Sequence, residues 1–224
     1  MLTLQDKLND FRASQQVKIP EKVRLRLAKN RESVRALGML ERCLSQGKKI
    51  PDFCLRNQNG HEICLKDLLK EANLVLSFFR GDWCNYDGLE LEALQASLKD
   101  IKHCGGRLIA ISPSKYENLQ QTHQRFALGF DLLYDQNNRI AEAFGIGYTL
   151  PQDLQDIYEA YGLDIASQNG DGSHKLPLPA TYVIGKDQCI ASSFIDVDHT
   201  RRQEPDDILR ILRQLQSAPT GRER

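Results

Sequence analysis

The sequence predicts an α/β fold in which helices flank a central β-sheet, preceded by an N-terminal helical extension. Two observations support this prediction. From residue 47 onward, short apolar runs typical of strands alternate with helical patterns, whereas residues 1–46 carry only helical patterns. The chain has 224 residues, of which 41% are hydrophobic. It is therefore long enough to form one globular domain with its own core, plus an appendage.

The charge balance argues against several classes of partner. Lysine and arginine total 30, as do aspartate and glutamate, so the net charge is zero. This gives no electrostatic reason to expect a nucleic acid or a membrane as partner. The first residues, MLTLQDKLNDFRASQQ, do not resemble a signal peptide, and no apolar run approaches the length of a membrane span. We therefore predict a cytoplasmic protein.

Two helices are predicted within the extension, residues 1–46. Leu4, Leu8 and Phe11 are spaced as on one face of a helix, which is expected to end near Pro20. A second helix carries apolar residues among many charged ones: Val23, Leu27, Val34, Leu37 and Leu44. These helices are expected to pack on the body, and a second subunit is the alternative. A homodimer through them is one possibility.

The body, residues 47–217, begins with two short strands around the turn at Asn59-Gly60 and a helix from Lys66. The elements predicted next are a strand at 74–79, a helix after Cys84, a strand at 108–112, a helix at 116–127, a strand at 132–134 and a helix at 140–144. A long polar connection rich in glycine follows. Residues 179–196 predict a pair of strands, and 205–215 a closing helix. Residues 218–224 are expected to form a flexible tail.

The segment WCNYD, residues 83–87, is the most informative part of the chain. Apolar residues recur after it at three- and four-residue steps: Leu91, Leu94, Leu98 and Ile101. Cys84 is therefore expected at a helix N-terminus, where free N–H groups and the helix dipole stabilise a thiolate. Trp83 would shield this thiol, and Arg80 would add positive charge. The alternative is an inert buried cysteine at a turn.

Asp87 allows more than one interpretation. A carboxylate in the first helical turn is most often a capping residue. Placed three residues after Cys84, it should also raise the pKa of the thiol, because it competes for the same positive potential. A third possibility is that it accepts the proton of the thiol. The second and third effects predict opposite reactivities.

The remaining cysteines and histidines predict no further chemistry. The six cysteines are scattered, so most are expected to be small buried thiols. Cys54 and Cys64 lie on neighbouring strands of the predicted hairpin, and two packed thiols are favoured there. The five histidines lack the paired spacing of metal ligands, and Gly145-Ile146-Gly147 lacks the context of a phosphate loop. No cofactor and no metal are expected.

Five segments together carry a family resemblance: FFRGDWCNYDGLELEALQ, LIAISPS, DLLYDQNNRIAEAFGI, LPATYVIGKDQCI and DVDHTRRQEP. In this order they resemble the peroxiredoxin-like branch of the alkyl hydroperoxide reductase/thiol-specific antioxidant superfamily. The resemblance spans residues 49–215 and reaches the extension through FRASQQVKIPEKV. It implies a thioredoxin-like fold with a central mixed sheet. It also implies that Pro179 is a cis-proline facing Cys84.

The chain departs from this family at Asp87, because the branch typically has WCPYC where this sequence has WCNYD. By analogy with thioredoxins, Cys84 is the retained nucleophile and Asp87 replaces the resolving cysteine. In peroxiredoxins the motif is T-x-x-C with an acidic residue three positions later. Counting back from Glu90 then places Asp87 in the slot of the peroxidatic cysteine and Cys84 in the slot of the threonine.

The resemblance implies a thiol-dependent antioxidant oxidoreductase that reduces hydrogen peroxide or organic hydroperoxides. The expected partners are the hydroperoxide and a thiol reductant, either a thioredoxin-like protein or a small thiol. Cys84, Asp87 and Arg201 are the candidate catalytic residues, with Arg80 as second choice for the arginine that polarises the peroxide. The candidate pocket residues are Trp83, Arg80, Pro179 and Thr181. The alternative is a thioredoxin-fold protein with a degenerate site that acts as a binding or regulatory module.

Overall fold

The computed structural model describes residues 2–36 and 38–217. Its strands within these ranges are β1 (Cys54–Arg56), β2 (Glu62–Cys64), β3 (Asn73–Phe78), β4 (Gly106–Ser112), β5 (Asp131–Tyr134), β6 (Gly147–Thr149), β7 (Lys175–Pro177), β8 (Ala180–Ile184) and β9 (Ile190–Ile195). Its helices are α1 (Leu4–Lys18), α2 (Glu21–Ala36), α3 (Met39–Arg42), α4 (Leu65–Glu71), α5 (Asn85–Ala96), α6 (Leu98–His103), α7 (Tyr116–Arg125), α8 (Arg139–Ala143), α9 (Gln152–Ala160), α10 (Ile165–Asn169) and α11 (Pro205–Ser217). None of these helices is both long and apolar enough to cross a membrane.

The central sheet has five strands in the order β5-β4-β3-β8-β9. Strands β3, β4 and β5 run parallel, while β8 is antiparallel to both β3 and β9. Strand β3 lies in the middle of this sheet, and five of its six residues are buried. The carboxyl end of β3 therefore lies at the middle of the sheet edge, and α5 is the next helix along the chain. The predicted α/β fold with a central mixed sheet is confirmed.

Helices cover both faces of the sheet, and β3 supplies residues to both layers. Leu76 and Phe78 belong to one core, which includes residues of α4 and α8. Val75 of β3 and Phe79, the residue directly after the strand, belong to the other core, which includes residues of α5, α6, α7 and α11. This alternation follows from the two-residue period of a strand, which sends successive side chains to opposite faces. The second core holds the Cys84 helix, α5, against the sheet.

The N-terminal helices pack on the body. Thr3 and Asp6 form a capping box at the start of α1, and the Glu204 carboxylate accepts hydrogen bonds from the backbone N–H groups of Leu4 and Gln5 at 3.1 and 2.7 Å. Leu8 is fully buried. The boundary between an extension at 1–46 and a body at 47–217 stays a prediction. Leu37 and the predicted tail at 218–224 lie outside the described residues.

The region from 147 to 177 differs from the long polar connection predicted for it. It contains helices α9 and α10 and the antiparallel strands β6 and β7. Leu154, Ile157 and Ile165 are buried in a third apolar cluster, against which Val23 and Leu27 of α2 pack. The apolar positions 154 and 157 are spaced as on one face of a helix. This signal was outweighed by the surrounding glycine and polar residues.

Cys54 and Cys64 form a disulfide, so the prediction of two packed thiols was wrong. The two residues are directly paired across β1 and β2, with their Cα atoms 4.1 Å apart. Such pairing brings the side chains together on one face of the hairpin. Glu62 lies beside them and would complete a cluster of metal-ligand type, but the disulfide occupies both sulfur atoms. Cys43, Cys84, Cys104 and Cys189 are free thiols.

Pro179 is not a cis-proline, contrary to what the family resemblance implied. All peptide bonds among the described residues are trans. The preceding residue, Leu178, donates its backbone N–H to the carbonyl of Ile146 at 2.8 Å, and β8 begins directly after the proline. The chain thus enters the sheet in the trans form, which X-Pro bonds prefer by about 0.5–1 kcal/mol.

Candidate active site

The loop between β3 and α5 places Cys84 at the amino end of a helix. Strand β3 ends at Phe78, and α5 begins at Asn85 with Cys84 as its N-cap residue. The turn depends on Gly81, whose φ of 149° and close neighbours exclude a side chain. A Cβ atom on Gly81 would lie 2.5 Å from Nε1 of Trp83 and 2.7 Å from Oγ of Ser114. The predicted position of Cys84 at a helix N-terminus is therefore what the structure shows.

Cys84 contacts the guanidinium group of Arg80. The distance from Nη2 of Arg80 to Sγ of Cys84 is 2.7 Å, and the cysteine is 4% exposed. The ring of Trp83 lies 5.1 Å from the same guanidinium group in a cation–π arrangement. Arg80 is thus held between the indole ring and the sulfur atom. Such a contact favours the thiolate, the reactive form of cysteine.

Burial nevertheless dominates the acidity of this thiol and raises the pKa of Cys84 above its ordinary value. The positive charges of Arg80 and Arg202 and the backbone amide of Asp87 act in the opposite direction, while the Asp87 carboxylate raises the pKa further. The sequence-based expectation that Asp87 opposes ionisation of Cys84 agrees with this arrangement. The helix N-terminus and Arg80 alone do not make Cys84 a strongly acidic thiol.

The Asp87 side chain does not cap its own helix, although capping was its expected role. Its Oδ2 atom accepts hydrogen bonds from the backbone N–H groups of Arg80 at 2.8 Å and Gly81 at 3.3 Å. Its Oδ1 atom lies 2.5 Å from Nη2 of Arg202. The residue is fully buried. Two amides and one guanidinium group therefore form an anion cradle around the Asp87 carboxylate.

Arg202 joins this carboxylate to a second one. Its Nε atom donates to Oε2 of Glu90 at 2.6 Å, and Thr181 donates from Oγ1 to Oε1 of Glu90 at 3.2 Å. Burial raises the pKa of Glu90, although Arg202 acts against this shift. Burial lowers the pKa of Arg202, but Glu90 and Asp87 outweigh that effect and raise it overall. Asp87 and Glu90 thus both pair with Arg202, whereas Nη2 of Arg80 contacts the Cys84 sulfur.

Arg201, the arginine predicted from the sequence, lies outside this cluster. Its side chain is 60% exposed and pairs with Asp196 at 3.1 Å. The neighbouring Arg202 is 4% exposed and is the arginine that pairs with Asp87 and Glu90. The sequence DHTRRQEP contains both arginines. Adjacent residues in an irregular segment carry no periodic signal that shows which side chain points inward.

His199 was also missed by the sequence analysis. Its ring lies 5.4 Å from the ring of Tyr86 in an edge-to-face contact. Burial and the nearby charge of Arg80 lower the pKa of His199 well below its ordinary value. The imidazole is therefore neutral near pH 7. It lines the same cavity as Cys84.

A cavity of about 480 Å³, the Cys84 cavity, lies between the body and the N-terminal helices. Arg80, Trp83 and Cys84 form part of its wall, and the rest comes mainly from α1, α2, α9 and nearby loops. Neither of the other two predicted pocket residues lines it. Thr181 lies in the buried cluster with Glu90, and Pro179 borders a separate cavity of about 30 Å³ next to Arg80. Asp87 is absent from both linings, whereas the other four residues of the WCNYD segment line the Cys84 cavity.

Comparison with known proteins identifies the family. Residues 46–193 match the AhpC/TSA family. The chain belongs to this family. A putative peroxiredoxin bcp from Helicobacter pylori is 31% identical to this AhpC/TSA protein over 121 residues, covering 53% of this chain and 68% of the relative. Peroxiredoxin Bcp from Escherichia coli is 28% identical over 105 residues, covering 46% of this chain and 65% of the relative.

Solved structures support the same fold. Peroxidoxin BcpB from Mycobacterium tuberculosis aligns with a TM-score of 0.61 at 19% identity, covering 77% of this chain and 98% of that one. A yeast mitochondrial 1-Cys peroxiredoxin aligns with a TM-score of 0.57 at 20% identity, covering 77% and 76%. The AhpC/TSA protein thus has the thioredoxin-like fold of peroxiredoxins, as the resemblance implied.

Proposed function

We propose that this AhpC/TSA protein is a thiol-dependent antioxidant oxidoreductase that reduces hydrogen peroxide or organic hydroperoxides through Cys84. Its membership of a peroxiredoxin-like family supports the reaction class. The observation that carries the assignment to Cys84 is the 2.7 Å contact between its Sγ atom and Nη2 of Arg80 in the wall of the Cys84 cavity. The cavity gives a small peroxide access to this sulfur.

The reaction begins with attack of the Cys84 thiolate on the O–O bond of the peroxide. A sulfur–oxygen bond forms and the O–O bond breaks, giving a sulfenic acid on Cys84 and an alcohol or water once the leaving oxygen takes a proton. An external thiol then attacks the sulfenic sulfur, releasing water and forming a mixed disulfide. A second equivalent of thiol regenerates Cys84 and leaves as a disulfide. Two thiols thus supply the two electrons that reduce one peroxide.

Arg80 is the group that can act on both the thiolate and the peroxide. Burial lowers the pKa of Arg80, but the negative charges of Cys84 and Asp87 contribute to a pKa that lies well above its ordinary value. The side chain is therefore permanently charged. Its Nε atom is buried and has no hydrogen-bond partner within the described residues. We assign this free N–H the role of donating to a peroxide oxygen while Nη2 holds the sulfur.

Asp87 sets the level of this activity. Asp87 stands at the position that the family motif gives to the peroxidatic cysteine. Its carboxylate occupies the anion cradle, and its charge raises the pKa of Cys84. Only a small fraction of Cys84 is then ionised at neutral pH. We propose that the protein is a slow peroxidase whose rate rises with pH.

The resolving thiol comes from outside the chain in this proposal. Among the described cysteines, only Cys84 lines the cavity. Cys43 and Cys104 are buried elsewhere, and Cys54 is paired with Cys64. The partners are therefore a hydroperoxide and a thiol reductant. We further propose a cytoplasmic location, where such reductants are abundant, and a homodimer as the oligomeric state.

Peroxide consumption in the presence of dithiothreitol tests this function. Wild type should consume hydrogen peroxide and cumene hydroperoxide faster than Cys84→Ser, which should match the uncatalysed rate. Cys189→Ser serves as the matched control, because Cys189 is a free thiol outside the cavity. Equal rates for wild type and Cys84→Ser would contradict the peroxidase assignment. They would favour the alternative, a binding module with a degenerate site.

A further inference from the structure

We propose that the Cys84 cavity binds a small thiol that carries carboxylate groups, and that this thiol is the electron donor that regenerates Cys84. The inference rests on the proposed function and names its reductant class. A volume of about 480 Å³ falls within the range of small-molecule sites. Four features of the cavity support this occupant: the charge of its wall, its apolar surface, the helices that cover it, and the absence of a second cysteine among the described residues that line it.

The cavity is lined by cations without acidic residues. Arg12, Lys18, Arg24, Arg31 and Arg80 all contribute to its wall, and no aspartate or glutamate does so. Within the described residues, the first of these forms a salt bridge with a carboxylate of the body at 3.6 Å, whereas the next three form none. A cleft lined by charge of one sign attracts ligands of the opposite sign. The ligand should therefore be an anion.

Apart from a few polar side chains such as Gln15, Gln16 and Asn85, the remaining wall is apolar and aromatic. Trp83 and Tyr158 pack edge to face with ring centroids 5.7 Å apart, and Ile157 and Leu163 extend this surface. Such a wall can bury the uncharged part of a ligand while its carboxylates remain at the basic rim. Inorganic anions would leave this surface uncovered. The combination favours a small organic anion.

The N-terminal helices restrict what can reach the sulfur atom. Cys84 is 4% exposed, and α1 and α2 form a large part of the cavity wall above it. Helix α1 is held in place by Glu204 and by the buried Leu8. A cysteine on a folded protein would have to displace these helices, whereas a small thiol can enter as they stand.

The chemistry requires a thiol to enter this cavity. The sulfenic acid on Cys84 needs a second sulfur, and no other cysteine of the described residues lines the cavity. Attack by the bound thiol releases water and leaves its sulfur bonded to Cys84. Attack by a second thiolate on the bound sulfur then releases the symmetrical disulfide and restores the Cys84 thiolate.

Thiol–disulfide exchange tests the charge preference without any peroxide. Reduced protein is treated with either glutathione disulfide, which is anionic, or cystamine, which is cationic. Peptide mass spectrometry follows the adduct on Cys84. The rate of each disulfide with the protein is divided by its rate with 2-mercaptoethanol, which corrects for the intrinsic reactivity of the disulfide. We expect glutathione disulfide to react faster by roughly three- to tenfold at low salt, with the preference shrinking as salt screens the charges.

Charge reversal on α2 provides the matched comparison. Arg24→Glu should remove the preference, because Arg24 lines the cavity. Arg26→Glu should retain it, because Arg26 is exposed on the same helix and does not line the cavity. Arg24→Gln, a milder change, should reduce the preference and covers the case in which the reversal impairs folding.

Three results would overturn the inference. They are equal or faster reaction with cystamine, equal effects of Arg24→Glu and Arg26→Glu, and no adduct on Cys84 with either disulfide. Any of these, in a protein whose Cys84 is still oxidised by peroxide, would reject the anionic donor alone. If peroxide fails to oxidise Cys84 while the preference for glutathione disulfide is still seen, the peroxidase assignment is rejected instead.

Discussion

The carboxylate of Asp87 and the guanidinium group of Arg202 form a buried ion pair, with Oδ1 and Nη2 2.5 Å apart and side chains that are 0% and 1% exposed. The second oxygen of this carboxylate binds the backbone N–H groups of Arg80 and Gly81. The negative charge of Asp87 thereby offsets the positive potential of these groups, which would otherwise stabilise the thiolate of Cys84. The reactivity of Cys84 is therefore controlled by a side chain that is itself sealed from solvent.

Replacing Asp87 by asparagine should make Cys84 more acidic, because it removes the negative charge that raises the pKa of the thiol. The pH midpoint of thiolate absorbance near 240 nm should fall, and alkylation of Cys84 by iodoacetamide at pH 7 should become severalfold faster. Asp82→Asn is the matched control, because Asp82 is partly buried in the same loop and is not among the charged groups that shift the pKa of Cys84. An unchanged midpoint in Asp87→Asn would contradict the restraining role.

Arg202 should be far more important for stability than Arg201. Replacing Arg202 by methionine leaves the Asp87 and Glu90 carboxylates buried without their cation, which should lower the free energy of unfolding by about 3–5 kcal/mol. Arg201→Met removes only an exposed pair with Asp196 and should change it by less than about 1 kcal/mol. Urea unfolding followed by the fluorescence of Trp83, the single tryptophan, measures both. Similar losses in the two variants would argue against the buried cluster.

Local patterns in the sequence predicted most of the fold and the centre of the site. The apolar run of β3 and the apolar spacing after Cys84 are signals within a few residues, and both predicted elements are present. The Asp87 contact with Arg202 joins residues 115 positions apart. No local period records such a contact, so the pairing of Arg202 with Asp87 was not predicted from the sequence. Helices α9 and α10 were missed because their few apolar residues lie among glycine and polar residues, and these side chains are buried in a separate cluster rather than in the main core.

Removal of the Arg80 charge should suppress the reactivity of Cys84. A hydrogen bond to a charged group contributes about 1.5–3 kcal/mol, so Arg80→Met should slow alkylation of Cys84 at pH 7 by about tenfold or more. Alkylation rates measured across pH separate the causes. In Arg80→Met the alkylation rate of Cys84 should reach the wild-type value only at higher pH, where the thiolate forms without the positive charge of Arg80. A rate that is low at every pH would indicate blocked access instead.

Asp135 should make the free energy of unfolding fall as pH rises, because its pKa is raised in the folded protein. Burial raises the pKa of Asp135 from 3.8 to about 6 in the folded protein. The folded state therefore binds more protons than the unfolded state between these values, and stability falls as pH rises through this window. Relative to Asp135→Asn, wild type should lose about 3 kcal/mol of unfolding free energy from below pH 4 to above pH 6. For the exposed control Asp153→Asn, the free energy of unfolding plotted against pH should run parallel to that of wild type. A parallel curve for Asp135→Asn would contradict the raised pKa of Asp135.

The most direct test of the central claim is the trapping of a sulfenic acid on Cys84 after a single addition of hydrogen peroxide. The reduced protein is mixed with peroxide and dimedone, and the modified cysteine is identified by peptide mass spectrometry at several pH values. The account predicts that Cys84 is labelled ahead of the other free cysteines, that labelling accelerates as pH rises, and that Asp87→Asn accelerates it at pH 7. Labelling confined to Cys189, with Cys84 unmodified at every pH, would contradict it.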